Sequence, residues 1–102
     1  MNPIAFYTAK PHILRMDVEF DPAKDAANIA KHGVALIVGL GVLTNILGTE
    51  RDQRHAYGEV RTNAFGLVNG RLHVCTFTLR GDVHRIISVR KASRQEQRRW
   101  LT

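Results

Sequence analysis

Polar and apolar residues alternate through Asp17-Val18-Glu19-Phe20, the pattern of a short, half-buried strand. The period then changes. Asp21 is a good N-cap, Pro22 suits the first helical position, and Ala26, Ala27, Ile29 and Ala30 carry helical propensity as far as Gly33, the expected stop. Lys31 and His32 fall in the last turn, where a cation favours the negative end of the helix dipole. Val34 to Leu43 is a second apolar segment and reads as a helix despite Gly39 and Gly41. Gly48 to Gly58, polar and charged, reads as a loop.

From Val60 the chain is β-like. Val60 to Val68 and Arg71 to Leu79 flank Asn69-Gly70, a pair whose tolerance of positive φ marks a two-residue hairpin turn. Gly81-Asp82 makes a second tight turn into Val83 to Arg90. Ser93, with Glu96 three residues on, is a capping box that opens a short basic helix over Ser93 to Thr102. The order strand, helix, helix, three strands, helix predicts a compact α+β fold, with helices packed on one face of an antiparallel sheet. Residues 1–15 show neither period and contain Pro3 and Pro11. They are expected to be a disordered or dispensable extension, or a start-site artefact, ahead of a domain over residues 16–102.

Composition narrows the classes. A chain of 102 residues that is 44% hydrophobic closes one modest core and has no room for a large internal ligand cavity. No apolar run approaches the roughly 18 to 20 residues of a membrane helix. The N-terminus shows no basic region followed by an apolar one, and Cys75 is the single cysteine, so a soluble protein of a reducing cytoplasm is expected. Charge is uneven: residues 1–50 hold four Lys/Arg against five Asp/Glu, and residues 51–102 hold eleven against four. A basic half of this kind attracts polyanions, nucleic acid first among them.

The last strand sharpens that reading. A two-residue turn at Gly81-Asp82 sets Arg85 opposite Thr78 and Arg80 opposite Val83, so both arginines flank one end of the sheet. Each is there for an outside anion or for an internal salt bridge to Glu59, Glu19 or Asp82. Within Arg54-His55-Ala56-Tyr57-Gly58-Glu59-Val60-Arg61, Glu59 and Arg61 point to the same side and either pair or jointly meet a phosphodiester. The histidines are scattered and one cysteine is no metal site, so no metal is expected. There is no nucleophile elbow and no phosphate-cradling glycine loop. What remains is phosphodiester chemistry by Arg, Lys, His and Glu: RNA supplies its own 2′-OH, and the protein needs a proton acceptor, cations for the developing charge and a proton donor.

Three segments now resemble a known family: Phe20-Asp21-Pro22-Ala23-Lys24 through Asn28 to Lys31-His32-Gly33-Val34; Arg54 to Arg61; and Arg85-Ile86-Ile87-Ser88-Val89-Arg90-Lys91-Ala92-Ser93 with Glu96. In order and spacing they resemble the BrnT toxins of bacterial type II toxin–antitoxin systems. The resemblance implies a RelE-like ribonuclease fold and metal-independent RNA cleavage, without a cofactor, that arrests growth. It also implies neutralisation by a BrnA-type ribbon-helix-helix antitoxin, which alone contacts operator DNA. Carried onto this chain, the polar motif positions are Lys24, His32, Glu59, Arg61, Arg85 and Arg90, with Lys91 adjacent. The expected roles are phosphate binding and transition-state stabilisation by Arg61, Arg85 and Arg90, with Glu59 or His32 handling the proton. Lys24, Arg80, Lys91 and Arg94 are expected to bind RNA, and Trp100 to offer a base a stacking platform. The alternative is a catalytically weak member that serves as an antitoxin-binding co-repressor or nucleic-acid-binding module. A direct DNA-binding domain has no helix-turn-helix pattern behind it.

Overall fold

A computed structural model describes residues 4–9, 16–53 and 58–102. The strands are β1 (Ala5–Ala9), β2 (Met16–Phe20), β3 (Ile46–Arg51), β4 (Thr62–Val68), β5 (Arg71–Arg80) and β6 (Val83–Lys91). The helices are α1 (Pro22–His32), α2 (Val38–Thr44) and α3 (Arg94–Leu101). Among the described residues the strands form one sheet in the order β1-β2-β6-β5-β4-β3. The fold is α+β, and none of these helices is long and apolar enough to cross a membrane.

Local signals placed their elements well. Asp21 caps α1 by accepting from the Ala23 amide at 2.9 Å, and Gly33 closes it in the left-handed region at φ 71°. Asn69 (φ 51°) and Gly70 (φ 76°) form the turn between β4 and β5. Ser93 and Glu96 form the reciprocal capping box of α3.

Four expectations are corrected. The sheet is mixed, since β2 pairs parallel with β6 over Asp17–Glu19 and Val83–Arg85. These strands are joined by a long crossover, which lets them run the same way. The helices do not share one face: α2 covers the larger core of Val18, Phe20, Leu36, Val42, Cys75, Ile86 and Val89, whereas Trp100 of α3 packs on a second cluster of Phe65, Leu72, Val74 and Ala92. The polar stretch from Gly48 begins inside a strand, β3, whose Glu50 and Arg51 suit a solvated sheet edge. Ahead of Met16, Ala5–Ala9 forms β1, antiparallel to β2, with Tyr7 stacked on Phe20 at 5.5 Å. An edge strand needs little periodicity of its own, because backbone pairing with β2 supplies most of its contacts.

Two small residues explain the packing. A Cβ on Gly39 would stand 2.9 Å from both Cys75 Sγ and Ile86 Cδ1, so glycine inside the apolar helix lets α2 lie close against the sheet. A Cβ on Gly48 would collide with the Trp100 ring, so the glycine in β3 is the seat of that indole.

Asn28 joins α1 to the sheet. β2 covers only the first residues of β6, and α1 runs beside the remainder. There Asn28, 7% exposed, donates from Nδ2 to the Val89 and Val34 carbonyls at 2.8 Å each and accepts from the Val89 amide at 3.3 Å. Its amide thus takes the place of a neighbouring strand for Val89, where each buried unpaired backbone group would cost about 1–3 kcal/mol.

Candidate functional site

The parallel pairing brings Glu19 of β2 beside Arg85 of β6, and the hairpin register sets Thr78 opposite Arg85 and Arg80 opposite Val83, as the turn arithmetic requires. Thr78 then does one more thing. Its hydroxyl donates to the Val60 carbonyl at 2.8 Å, which holds the segment carrying Glu59 and Arg61 over the end of β5. Arg61 Nε lies 3.6 Å and Arg80 Nη2 3.9 Å from the Glu59 carboxylate, and Arg85 Nη1 lies 3.7 Å from that of Glu19.

The result is a cleft of about 120 Å³ whose lining includes Lys24, Glu59, Arg61, Thr78, Arg80 and Arg85. Four cations therefore converge with Glu59 and with Asp21, whose carboxylate is engaged as the α1 cap. At 3.6–3.9 Å these ion pairs exceed charge-assisted hydrogen-bond length. A phosphate that offers arginine shorter, bidentate contacts would outcompete them.

A second hollow of about 220 Å³ adjoins the first and shares Lys24 and Ile87 with it; Asn28, Lys31, His32 and Ser88 complete its polar lining. The β6 backbone is irregular here, the register skipping Ile87 between Ile86 and Ser88. Partial burial, then the charges of Lys31 and Arg90, hold the His32 imidazole below its ordinary pKa. It is therefore a neutral group at pH 7.

The other expected residues lie elsewhere. Arg90 makes a bidentate pair with Glu96, at 2.7 and 2.9 Å, which ties β6 to α3. That hydrogen-bonded guanidinium holds the Glu96 carboxyl down at about 2. Trp100 stacks on Phe65 at 4.7 Å, so the ring face expected to receive a base is used in packing. Arg94 is exposed at the start of α3, and Lys91 stands opposite His73 at the far end of β6. Of the expected RNA-binding set, Lys24 and Arg80 line the cleft. Arg54, His55 and Tyr57 lie outside the described residues. Cys75 is buried, and desolvation pushes its thiol up to about 12, which makes it a core residue rather than a nucleophile. Among the described residues no three of His, Cys, Asp and Glu gather as a metal site would need.

The profile of a family described as ribonuclease toxin, BrnT, of type II toxin-antitoxin system, matches residues 20–96. The chain belongs to the BrnT family. Comparison with individually curated proteins returns no match. The match begins at the last residue of β2 and spans every cleft residue named above, so the cleft lies within the region this BrnT chain has in common with its family. BrnT proteins are ribonuclease toxins, and RNA and an antitoxin are the partners that come with the family.

Thr78, in the cleft lining, and Glu19, beside Arg85, belong to the candidate site but were not singled out by sequence reasoning. Glu19 was one of three carboxylates within reach of Arg85, and only the parallel pairing selects it. The signal for Thr78 was its register opposite Arg85; its bond to Val60 depends on where the chain enters β4.

Proposed function

We propose that this BrnT chain is a metal-independent endoribonuclease of RelE-like architecture that cleaves RNA by way of the strand's own 2′-OH and arrests growth. Arg61 and Arg85 grip the scissile phosphate and stabilise the charge that develops on it, while Lys24 and Arg80 hold the flanking backbone. Glu59 stands among these cations and takes the 2′-OH proton as the oxygen attacks phosphorus. As the 2′-oxygen–phosphorus bond forms, the bond to the 5′-oxygen breaks, that oxygen takes a proton from water, and a 2′,3′-cyclic phosphate remains. His32, in the adjoining hollow, tunes the charge beside the cleft. A ribbon-helix-helix antitoxin neutralises the toxin and carries operator recognition for the pair.

The observation that carries this reading is the convergence of Lys24, Arg61, Arg80 and Arg85 with the Glu59 carboxylate in one cleft, whose other carboxylate, Asp21, is engaged as the α1 cap. It requires four separate chain segments to meet. A substrate containing a single 2′-deoxynucleotide at the cleavage position tests the chemistry. It should resist cutting there, while the all-ribose strand yields a cyclic phosphate end; equal cleavage of both would sink the 2′-OH mechanism.

A further inference from the structure

The opposite face of the sheet carries a hollow that the cleft does not use. Along β5, Cys75 and Phe77 turn toward the α2 core and Val74 toward α3. Alternation therefore puts Arg71 and His73 on the α2 side and Thr78 and Arg80 on the other. Lys91, in register with His73, joins the α2 side. The loop that follows α1 and the β4–β5 turn leave a hollow of about 460 Å³ between them, walled by Val34, Ala35, Val38 and Val68 and rimmed by Arg71 and Lys91.

Both sides of this hollow are fixed in advance. Asp25 accepts from the Leu36 amide at 2.8 Å and holds the loop, while the Asn69-Gly70 turn holds the hairpin. His73, 7% exposed, lines the hollow with its Nδ1 2.8 Å from the Arg71 carbonyl, so Nδ1 carries the proton and the ring is locked. Among the described residues neither Arg71 nor Lys91 is ion-paired. An aliphatic wall between two unneutralised cations matches a segment that offers an aliphatic side chain flanked by carboxylates. The lining has no Phe, Tyr or Trp, and the His73 ring is almost wholly buried, so a nucleobase would find little stacking surface there, which argues against RNA.

We propose that this hollow anchors the antitoxin through an aliphatic side chain flanked by acidic residues. The inference rests on the reading of the chain as a toxin with a protein partner. From His73 to Thr78 is five residues of strand, about 17 Å. Since the cleft also lies on the other face, anchoring and inhibition belong to different parts of the partner.

Two short synthetic peptides test the anchor: one of glutamates and leucines, and one with each leucine replaced by serine. Binding is followed by amide chemical shifts on the wild-type chain, on Arg71→Glu, whose side chain is exposed, and on Ala35→Arg, which fills the hollow; intact spectra establish folding. The leucine peptide should shift amides at 33–38 and 68–71, bind at least tenfold more tightly than the serine peptide, and weaken at least tenfold in both variants. RNA cleavage by the two variants should match wild type. Equal binding of the two peptides, shifts centred on Arg61 and Arg85, or occupation of the hollow by single-stranded RNA would overturn the anchor. A chain that discriminates the peptides yet cleaves no RNA removes the ribonuclease reading alone, and one that cleaves RNA without discriminating removes the anchor alone.

Discussion

Arg85 and Glu19 face each other across the parallel β2–β6 pair, Nη1 3.7 Å from the carboxylate, with 19% and 18% of their side chains exposed. Glu19 holds the guanidinium beside the cleft without fully engaging it. Arg85→Ala should abolish cleavage, whereas Glu19→Gln should leave cleavage in place and lower KM by releasing the arginine to phosphate. A loosely spaced pair is worth about 1 kcal/mol, so each variant should lower Tm by only a few degrees. Parallel melting curves and single-strand cleavage assays check this; unfolding of Arg85→Ala would show the pair to be structural instead.

The pH dependence separates the two expected proton carriers. With Glu59 as acceptor, Glu59→Gln should lower kcat sharply and flatten the acid limb of its pH profile. His32, held below its ordinary pKa, gains its proton at a lower pH than an ordinary histidine does. That proton adds a positive charge next to the cleft, so KM should fall as it binds. His32→Gln should remove the change in KM and leave kcat near wild type; loss of the acid limb in that variant would make His32 the base.

Arg90 and Glu96 make a stability prediction. The Glu96 carboxyl is held at about 2 against an ordinary 4.5, chiefly by its hydrogen bonds to Arg90. A depressed carboxylate stabilises the fold above its unfolded-state pKa, and the contribution is lost as pH falls from about 4.5 toward 2. Glu96→Gln should cost about 2 kcal/mol at pH 7, a Tm drop on the order of 10 °C, and should flatten the acid decline. Thermal melts from pH 7 to pH 2 measure both, and an equally steep acid decline in the variant would refute the assignment.

What the sequence made legible was local. Asp21-Pro22 and Gly33 bracket α1, Asn69-Gly70 turns the hairpin, and Ser93 with Glu96 starts α3, since each depends on residues within a turn or two of one another. The register of Arg85 with Thr78 was legible for the same reason. The parallel pairing of β2 with β6 was not, because it joins residues more than sixty positions apart and leaves no periodic trace. β3 was hidden by Gly48, a residue that weakens a strand by propensity but is required here by the Trp100 ring. Asn28, within a motif segment, gave no sign that it would complete the edge of β6. Within the candidate site, the motif arginines were legible as a group, but their division was not. Arg61 and Arg85 line the cleft while Arg90 is committed to Glu96, a distinction set by where α3 docks.

The central claim is that the cleft residues cut RNA without a metal. Its most direct test is cleavage of single-stranded RNA by the purified chain in EDTA, wild type beside Arg85→Ala and Glu59→Ala, all three shown to be folded. Cleavage by the wild type and loss of at least a hundredfold in both variants is the expected result. Intact RNA with the folded wild type, or undiminished cutting by the variants, would contradict the account, and the former would leave the binding-module reading in its place.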